Sequence, residues 1–213
     1  MHLWHGRLVI FRNISNARGI FHDLLRSGKF HPIVRVGDPA IEPGSKFATL
    51  KDPVMAIDGS IAFPATITGA GIKGVNAQTL WWQTDGGPVT LVAQGGLGAV
   101  PVAGIADAQW KSFPSLAVTP RGPIFVGSFG AGQRRRDEGC IEWPVAVDFK
   151  GDLRLLIQSG VTQVDGKTVK TFDVLKTSVG SQGSSRSVND AAVVVWRATF
   201  IDKTQAIVRT EVP

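Results

Sequence analysis

A single cysteine, Cys140, stands among 213 residues. No intrachain disulfide can form, and a zinc-cysteine cluster is excluded. Charge is sparse too, at 19% of the chain. No apolar run is long enough to cross a bilayer as a helix. The opening Met1-His2-Leu3-Trp4-His5-Gly6 lacks the basic segment and apolar core of a secretory signal. That opening reads as abrupt, as though a longer chain had been cut. A 3.6-residue apolar period is missing, which removes helical solenoids.

What is present points to strands. Hydrophobic residues make up 43%, so a large core can be buried. The 25 glycines and 12 prolines argue for many turns and against long helices. Lys and Arg number 23 against 17 Asp and Glu, a net charge of +6. Only Arg134-Arg135-Arg136 forms a basic run, and Asp137 and Glu138 follow it directly. The excess is spread thinly, so no specific nucleic-acid partner is expected.

Motifs for small-molecule chemistry are weak. Gly69-Ala70-Gly71-Ile72-Lys73-Gly74 matches GxGxxG, yet no helix is expected after it to hold a pyrophosphate. The stretch from Gly160 to Thr168 has one residue too many between its glycines for a phosphate-binding loop, and Val164-Asp165-Gly166-Lys167-Thr168 reads as a hairpin. His2 and His5 would point to opposite faces of a strand; with His22 and His31 they make no ligand set, and neither metal nor cofactor is expected. No serine lies in a GxSxG elbow. Trp81-Trp82 and Trp143 read as packing residues.

Internal repetition is the informative feature. Short extended runs meet a tight turn and a β-prone run at 2–11, 53–63, 115–126 and 187–196; Asp58-Gly59 is the clearest turn. A third strand follows at Gly19–Leu25, Thr79–Trp82 and Cys140–Val145, then a fourth at Ile33–Val36, Val89–Ala93 and Leu153–Ile157. Each fourth strand ends at a glycine: Gly37, Gly95 or Gly160. The looser connection beyond carries apolar pairs at Phe47/Leu50, Trp110/Phe113 and Phe172/Leu175.

Four antiparallel strands repeated in tandem predict an all-β fold, a β-propeller of four-stranded blades numbering about 3.75 in this chain. The expected units are 1–46, 47–109, 110–171 and an incomplete 172–213. They would form a partial ring, completed by self-association or neighbouring blades, or close as four blades. An arc would expose apolar blade faces.

The stretches Val188–Thr199 and Ala56–Phe63, with Val34–Gly44, resemble the tandem NxxGxxAF repeats of bacterial exported proteins. That resemblance implies a propeller-like fold and an exported or cell-surface location, with no catalytic residue attached. Asn189 is the one retained asparagine, and its unit has Ala192 in place of glycine.

Strand alternation places the long connections 37–46, 68–78, 94–111, 130–139 and 159–186 at one end of the sheets, the usual place for binding. Arg134, Arg135, Arg136, Asp137, Glu138 and Asp165 are the candidate ligand-binding residues there. The expected function is a non-enzymatic binding or structural module. The alternative is a propeller-type hydrolase or lyase acting on glycans through Asp38, Glu42, Asp107, Asp137, Glu138 and Asp165.

Overall fold

The structure is a computed structural model that describes residues 7–14, 17–23, 30–41, 44–96, 108–131, 141–147, 153–173, 187–189 and 191–212. It is all-β. Sheet one joins β1 (Arg7–Ile14), β2 (Ala17–Asp23) and β3 (Phe30–Arg35). Sheet two contains β4 (Lys46–Leu50), β5 (Val54–Met55), β6 (Ile61–Thr68), β7 (Gln78–Gln83) and β8 (Thr90–Gln94). Its order is β4-β6-β7-β8, with β5 also on β6. Sheet three runs β9 (Ala108–Thr119), β10 (Gly122–Ala131), β11 (Ile141–Val147) and β12 (Leu153–Leu155). Sheet four runs β13 (Gln163–Val164), β14 (Lys167–Asp173), β15 (Val193–Phe200) and β16 (Gln205–Glu211). Among the described residues every pairing is antiparallel, and no sheet closes on itself. Among the described residues the one helical element is a 3-10 turn, Gly74–Ala77, and no helix is long and apolar enough to cross a membrane.

The sheets pack face against face in chain order. Ile20 and Val34 of sheet one meet Ile61, Phe63, Ala65 and Trp81 of sheet two. The other face of sheet two gives Ala62, Leu80 and Ala93 to a core with Trp110, Leu116, Phe125 and Phe129 of sheet three. Sheet three turns Ile124 and Val126, with Ile157 just beyond β12, towards Val169, Val194, Trp196, Ala198 and Phe200 of sheet four. A strand between two sheets has no solvent face, and every residue of β10 from Gly122 to Phe129 is buried. β15 alternates instead, burying Val194, Trp196, Ala198 and Phe200 and turning Val195 and Arg197 outward. Each fully buried aliphatic or Phe side chain contributes about 1.5–3 kcal/mol, so these interfaces dominate the stability.

The strands β4, β9 and β14, in sheets two, three and four, contain the same irregularity. Phe47 pairs with Ile67 and Thr49 with Thr66, leaving Ala48 as an extra residue. Trp110 pairs with Phe129 and Ser112 with Ser128, around Lys111. Val169 pairs with Phe200 and Thr171 with Thr199, around Lys170. These are β-bulges, and the hydroxyls beyond two of them bond across the strands: Thr49 to Thr66 at 2.7 Å and Ser112 to Ser128 at 2.5 Å.

Several expectations change here. The apolar pairs assigned to a loose connection lie within strands, because the backbone from Lys46 and from Ala108 is already paired. Leu175 lies outside the described residues; Val169 occupies the place of Phe47 and Trp110, and Phe172 that of Leu50 and Phe113. The expected unit borders at 46/47, 109/110 and 171/172 fall inside β4, β9 and β14. Segment 159–186 is not one connection, since β14 lies within it and pairs with β15 at Asp173–Arg197. Val188 returns to the same strand at Val194. Asp173 and Val188 thus lie along the same edge of β15.

Candidate functional site

Glycine sets the junction between successive sheets. The Gly37 amide donates to the Phe47 carbonyl at 2.8 Å, Gly96 to Trp110 at 2.8 Å and Gly160 to Val169 at 2.7 Å. All three glycines have positive φ, at 95°, 67° and 79°, where a Cβ is strained. Each latch ties the end of one sheet to the bulge residue's neighbour in the next. In the second junction the latch falls on Gly96, one residue beyond the expected Gly95.

Around the first and third latches the described residues fold into compact turns. In the first, Asp38 Oδ2 accepts the Arg35 amide at 2.7 Å, and the Asp38 carbonyl accepts the Phe47 amide at 3.0 Å. Ser45 Oγ accepts the Ile41 amide at 3.0 Å. The GxGxxG stretch packs beside it: a Cβ on Gly69 would lie 3.1 Å from the Gly44 carbonyl oxygen. Gly69 and Ile72 form a bridge and the 3-10 turn follows, with the Asn76 carbonyl accepting Gln94 Nε2 at 2.8 Å. These glycines shape a turn against neighbouring backbone. In the third connection the Gln158 amide donates to Thr162 Oγ1 at 2.7 Å.

Asp165 lies at this end, exposed at the tip of the β13–β14 hairpin. Its φ of 49° beside 76° at Gly166 fits the primed two-residue turn expected of Asp-Gly. Arg134, Arg135, Arg136, Asp137 and Glu138 lie outside the described residues, as do Glu42 and Asp107. Of the proposed carboxylates, Asp38 and Asp165 alone are placed, and each belongs to its own turn. Among the described residues no group of three or more His, Cys, Asp or Glu side chains could hold a metal. His22 stands opposite His31 in the β2–β3 register, an adjacency hidden by their separation in sequence.

One electrostatic feature was missed in the sequence. Lys167 Nζ lies 2.9 Å from Asp202 Oδ2 and 2.9 Å from Thr204 Oγ1. The Lys167 hydrogen bond, followed by those from Thr204, lowers the Asp202 pKa to about 2. The pair joins the β13–β14 hairpin to the β15–β16 turn. Its signal was the Asp202-Lys203-Thr204 turn, where the Thr204 amide donates to Asp202 Oδ1 at 2.9 Å.

Tryptophan is structural where its side chain is described. Trp81 is buried against Phe47, with ring centroids 4.8 Å apart. Its Nε1 donates to Thr79 Oγ1 at 2.8 Å, and Trp196 Nε1 donates to Thr210 Oγ1 at 2.9 Å. Trp82 packs on the opposite face, towards sheet three.

The molecule is thus an all-β chain of successive antiparallel sheets joined by glycine-latched turns. It belongs to a family of unknown function (DUF7453), whose model matches residues 7–212. No curated protein and no solved structure matches the chain.

Proposed function

We propose that this chain is a β-propeller-type repeat module without enzymatic activity, a binding or structural unit of an exported or cell-surface bacterial protein. Its ligand meets the end of the sheets that carries the latched turns and the Arg134–Arg136 segment. The observation that carries this reading is the threefold latch of Gly37, Gly96 and Gly160 onto Phe47, Trp110 and Val169. A unit that repeats its own junction to the next sheet suits stacking, as blades do. The like corners at Ala56–Ser60 and Asn189–Val193 support grouping the units with NxxGxxAF repeats: Ala56 donates to the Ser60 carbonyl at 2.8 Å, and Asn189 to that of Val193 at 3.1 Å. Asp38 spends a carboxylate oxygen on the Arg35 amide, which favours binding over glycan cleavage.

The outer face of sheet four carries the Arg197–Asp173 pair and the Arg209–Glu211 pair, the latter at 2.7 Å.

The test uses the full chain on an array of bacterial surface glycans, followed by a reducing-end assay on the same glycans. Retention without new reducing ends, lost in the Arg134→Ala/Arg135→Ala/Arg136→Ala variant, is the expected result. New reducing ends would overturn this reading in favour of a glycan-processing hydrolase or lyase.

A further inference from the structure

Strand alternation brings two kinds of connection to the end of the sheets that holds the Gly37, Gly96 and Gly160 latches. One kind leads into the next sheet, and the other joins neighbouring strands of one sheet. Lys46 pairs with Thr68 and Phe47 with Ile67, so the β6–β7 connection begins beside the first latch. Val169, the acceptor of the third latch, pairs with Phe200, which sets the β15–β16 turn at this end too.

Exposed aliphatic side chains gather here. Val36, Ile41, Val75, Val161 and Ile201 all lie in these connections, with exposure rising from 37% at Val36 to 62% at Ile201. Cations stand beside them. Arg35 precedes Val36, Lys73 shares a turn with Val75 and Lys203 with Ile201, and Lys46 begins β4. All four are exposed, and among the described residues none has a carboxylate partner. Two carboxylates at this end are engaged: Asp38 Oδ2 accepts the Arg35 amide at 2.7 Å, and Asp202 pairs with Lys167 at 2.9 Å. Asp165 is the remaining described one, at a hairpin tip. The opposite end has the reverse sign. Its described turns carry Asp58 and Asp85, and their cation, Arg121, donates from Nη1 to the Val212 carbonyl at 3.0 Å.

We propose that the latched end docks on an anionic phospholipid bilayer. The aliphatic side chains enter the headgroup layer, and the lysines and arginines beside them meet the lipid phosphates. Exposed apolar groups rimmed by cations fit that interface; a soluble glycan would leave the aliphatic groups in water. A nucleic acid would call for rings on which bases stack, but Phe47, Trp110, Phe129 and Phe200 at this end are buried. The difference in charge between the two ends turns this one towards the bilayer. The inference rests on the reading that a partner meets the latched end, and it names that partner as lipid.

Flotation of the full chain with mixed phosphatidylglycerol–phosphatidylcholine vesicles tests the proposal. The chain should float with these and not with phosphatidylcholine alone, and added salt should weaken the binding. Lys73→Gln/Lys203→Gln should lower the affinity about fivefold for each cation removed. Val75→Ser/Ile201→Ser should lower it at least about tenfold, whereas Ile57→Ser at the opposite end should leave it unchanged. Equal urea midpoints check that these surface variants keep the fold. On a Cys140→Ser background, an environment-sensitive dye on Ile201→Cys should shift to the blue with the anionic vesicles, and one on Ile57→Cys should not. Vesicle binding untouched by Val75→Ser/Ile201→Ser would mark a general polyanion surface and overturn the proposal. Retention on glycans without vesicle binding would overturn it too, while leaving the glycan result above intact. Vesicle binding without retention on glycans upholds lipid docking and removes the glycan ligand alone.

Discussion

Ala192 occupies, at φ 58°, the corner that Gly59 occupies at φ 87°. In each, the amide of the corner residue donates back three positions: Gly59 to the Ala56 carbonyl at 3.1 Å, and Ala192 to that of Asn189 at 3.0 Å. The same backbone is thus made once with glycine and once with a strained alanine. Ala192 is fully buried in the core between sheets three and four.

Substitution at the two corners should therefore have unequal effects. Gly59→Ala introduces left-handed strain of about 1–2 kcal/mol, and its Cβ would lie 2.9 Å from Asp85 Cγ. A loss of that size is expected in urea unfolding followed by tryptophan fluorescence. Ala192→Gly relieves similar strain but gives up a buried methyl, about 0.8 kcal/mol, and adds about 0.5–1 kcal/mol of backbone entropy. The terms offset one another, and the net change should stay within about 0.5 kcal/mol in the same measurement.

Gly127 and Trp110 should couple. A Cβ on Gly127 would overlap the Trp110 ring, and both residues are enclosed by neighbouring sheets. Gly127→Ala should cost about 1–3 kcal/mol by overpacking. In combination with Trp110→Phe, which vacates part of that space, the double variant should lose less than the sum of the single losses. A double-mutant cycle on unfolding free energies measures the difference.

These two sites also show what the sequence could and could not disclose. Asp58-Gly59 and Asp165-Gly166 were legible because a tight turn needs residues that accept positive φ, and few do. Strands β4, β9 and β14 were harder to read. Lys46, Thr49, Lys170 and Thr171 give them a polar appearance, while the bulges at Ala48, Lys111 and Lys170 break the two-residue period. Val169 hid the third recurrence, since a β-branched residue fills the place held by rings in the other two sheets. The hydroxyls of Thr49, Ser112 and Thr171, two positions after Phe47, Trp110 and Val169, are the signal that aligns all three. Asp202 escaped notice because its partner Lys167 is fixed only when two hairpins meet.

The hydroxyl bond between Thr49 and Thr66 should contribute modestly. Thr49→Val leaves the half-buried Thr66 able to bond water, so the loss should be about 0.5–1 kcal/mol. Thr49→Val/Thr66→Val should cost less than twice the single change, as read from urea midpoints.

Acid should loosen sheet four through Asp202. Its pKa is about 2 in the folded chain against the ordinary 3.8 of an aspartate, so the ionised form is favoured by folding. That contribution is complete above the unfolded value and is lost as pH falls through the folded one. Between pH 5 and pH 2.5 the native chain should lose more stability than Asp202→Asn, which has no such proton to take up. Parallel urea titrations at the two pH values provide the comparison.

Amide hydrogen exchange at Gly37, Gly96 and Gly160, read residue by residue by NMR, tests most directly whether successive sheets share one junction. All three amides should exchange markedly more slowly than unstructured ones, because each donates to the backbone of a core residue, Phe47, Trp110 or Val169. Free exchange at these three positions while the β6 and β10 amides stay protected would contradict the account.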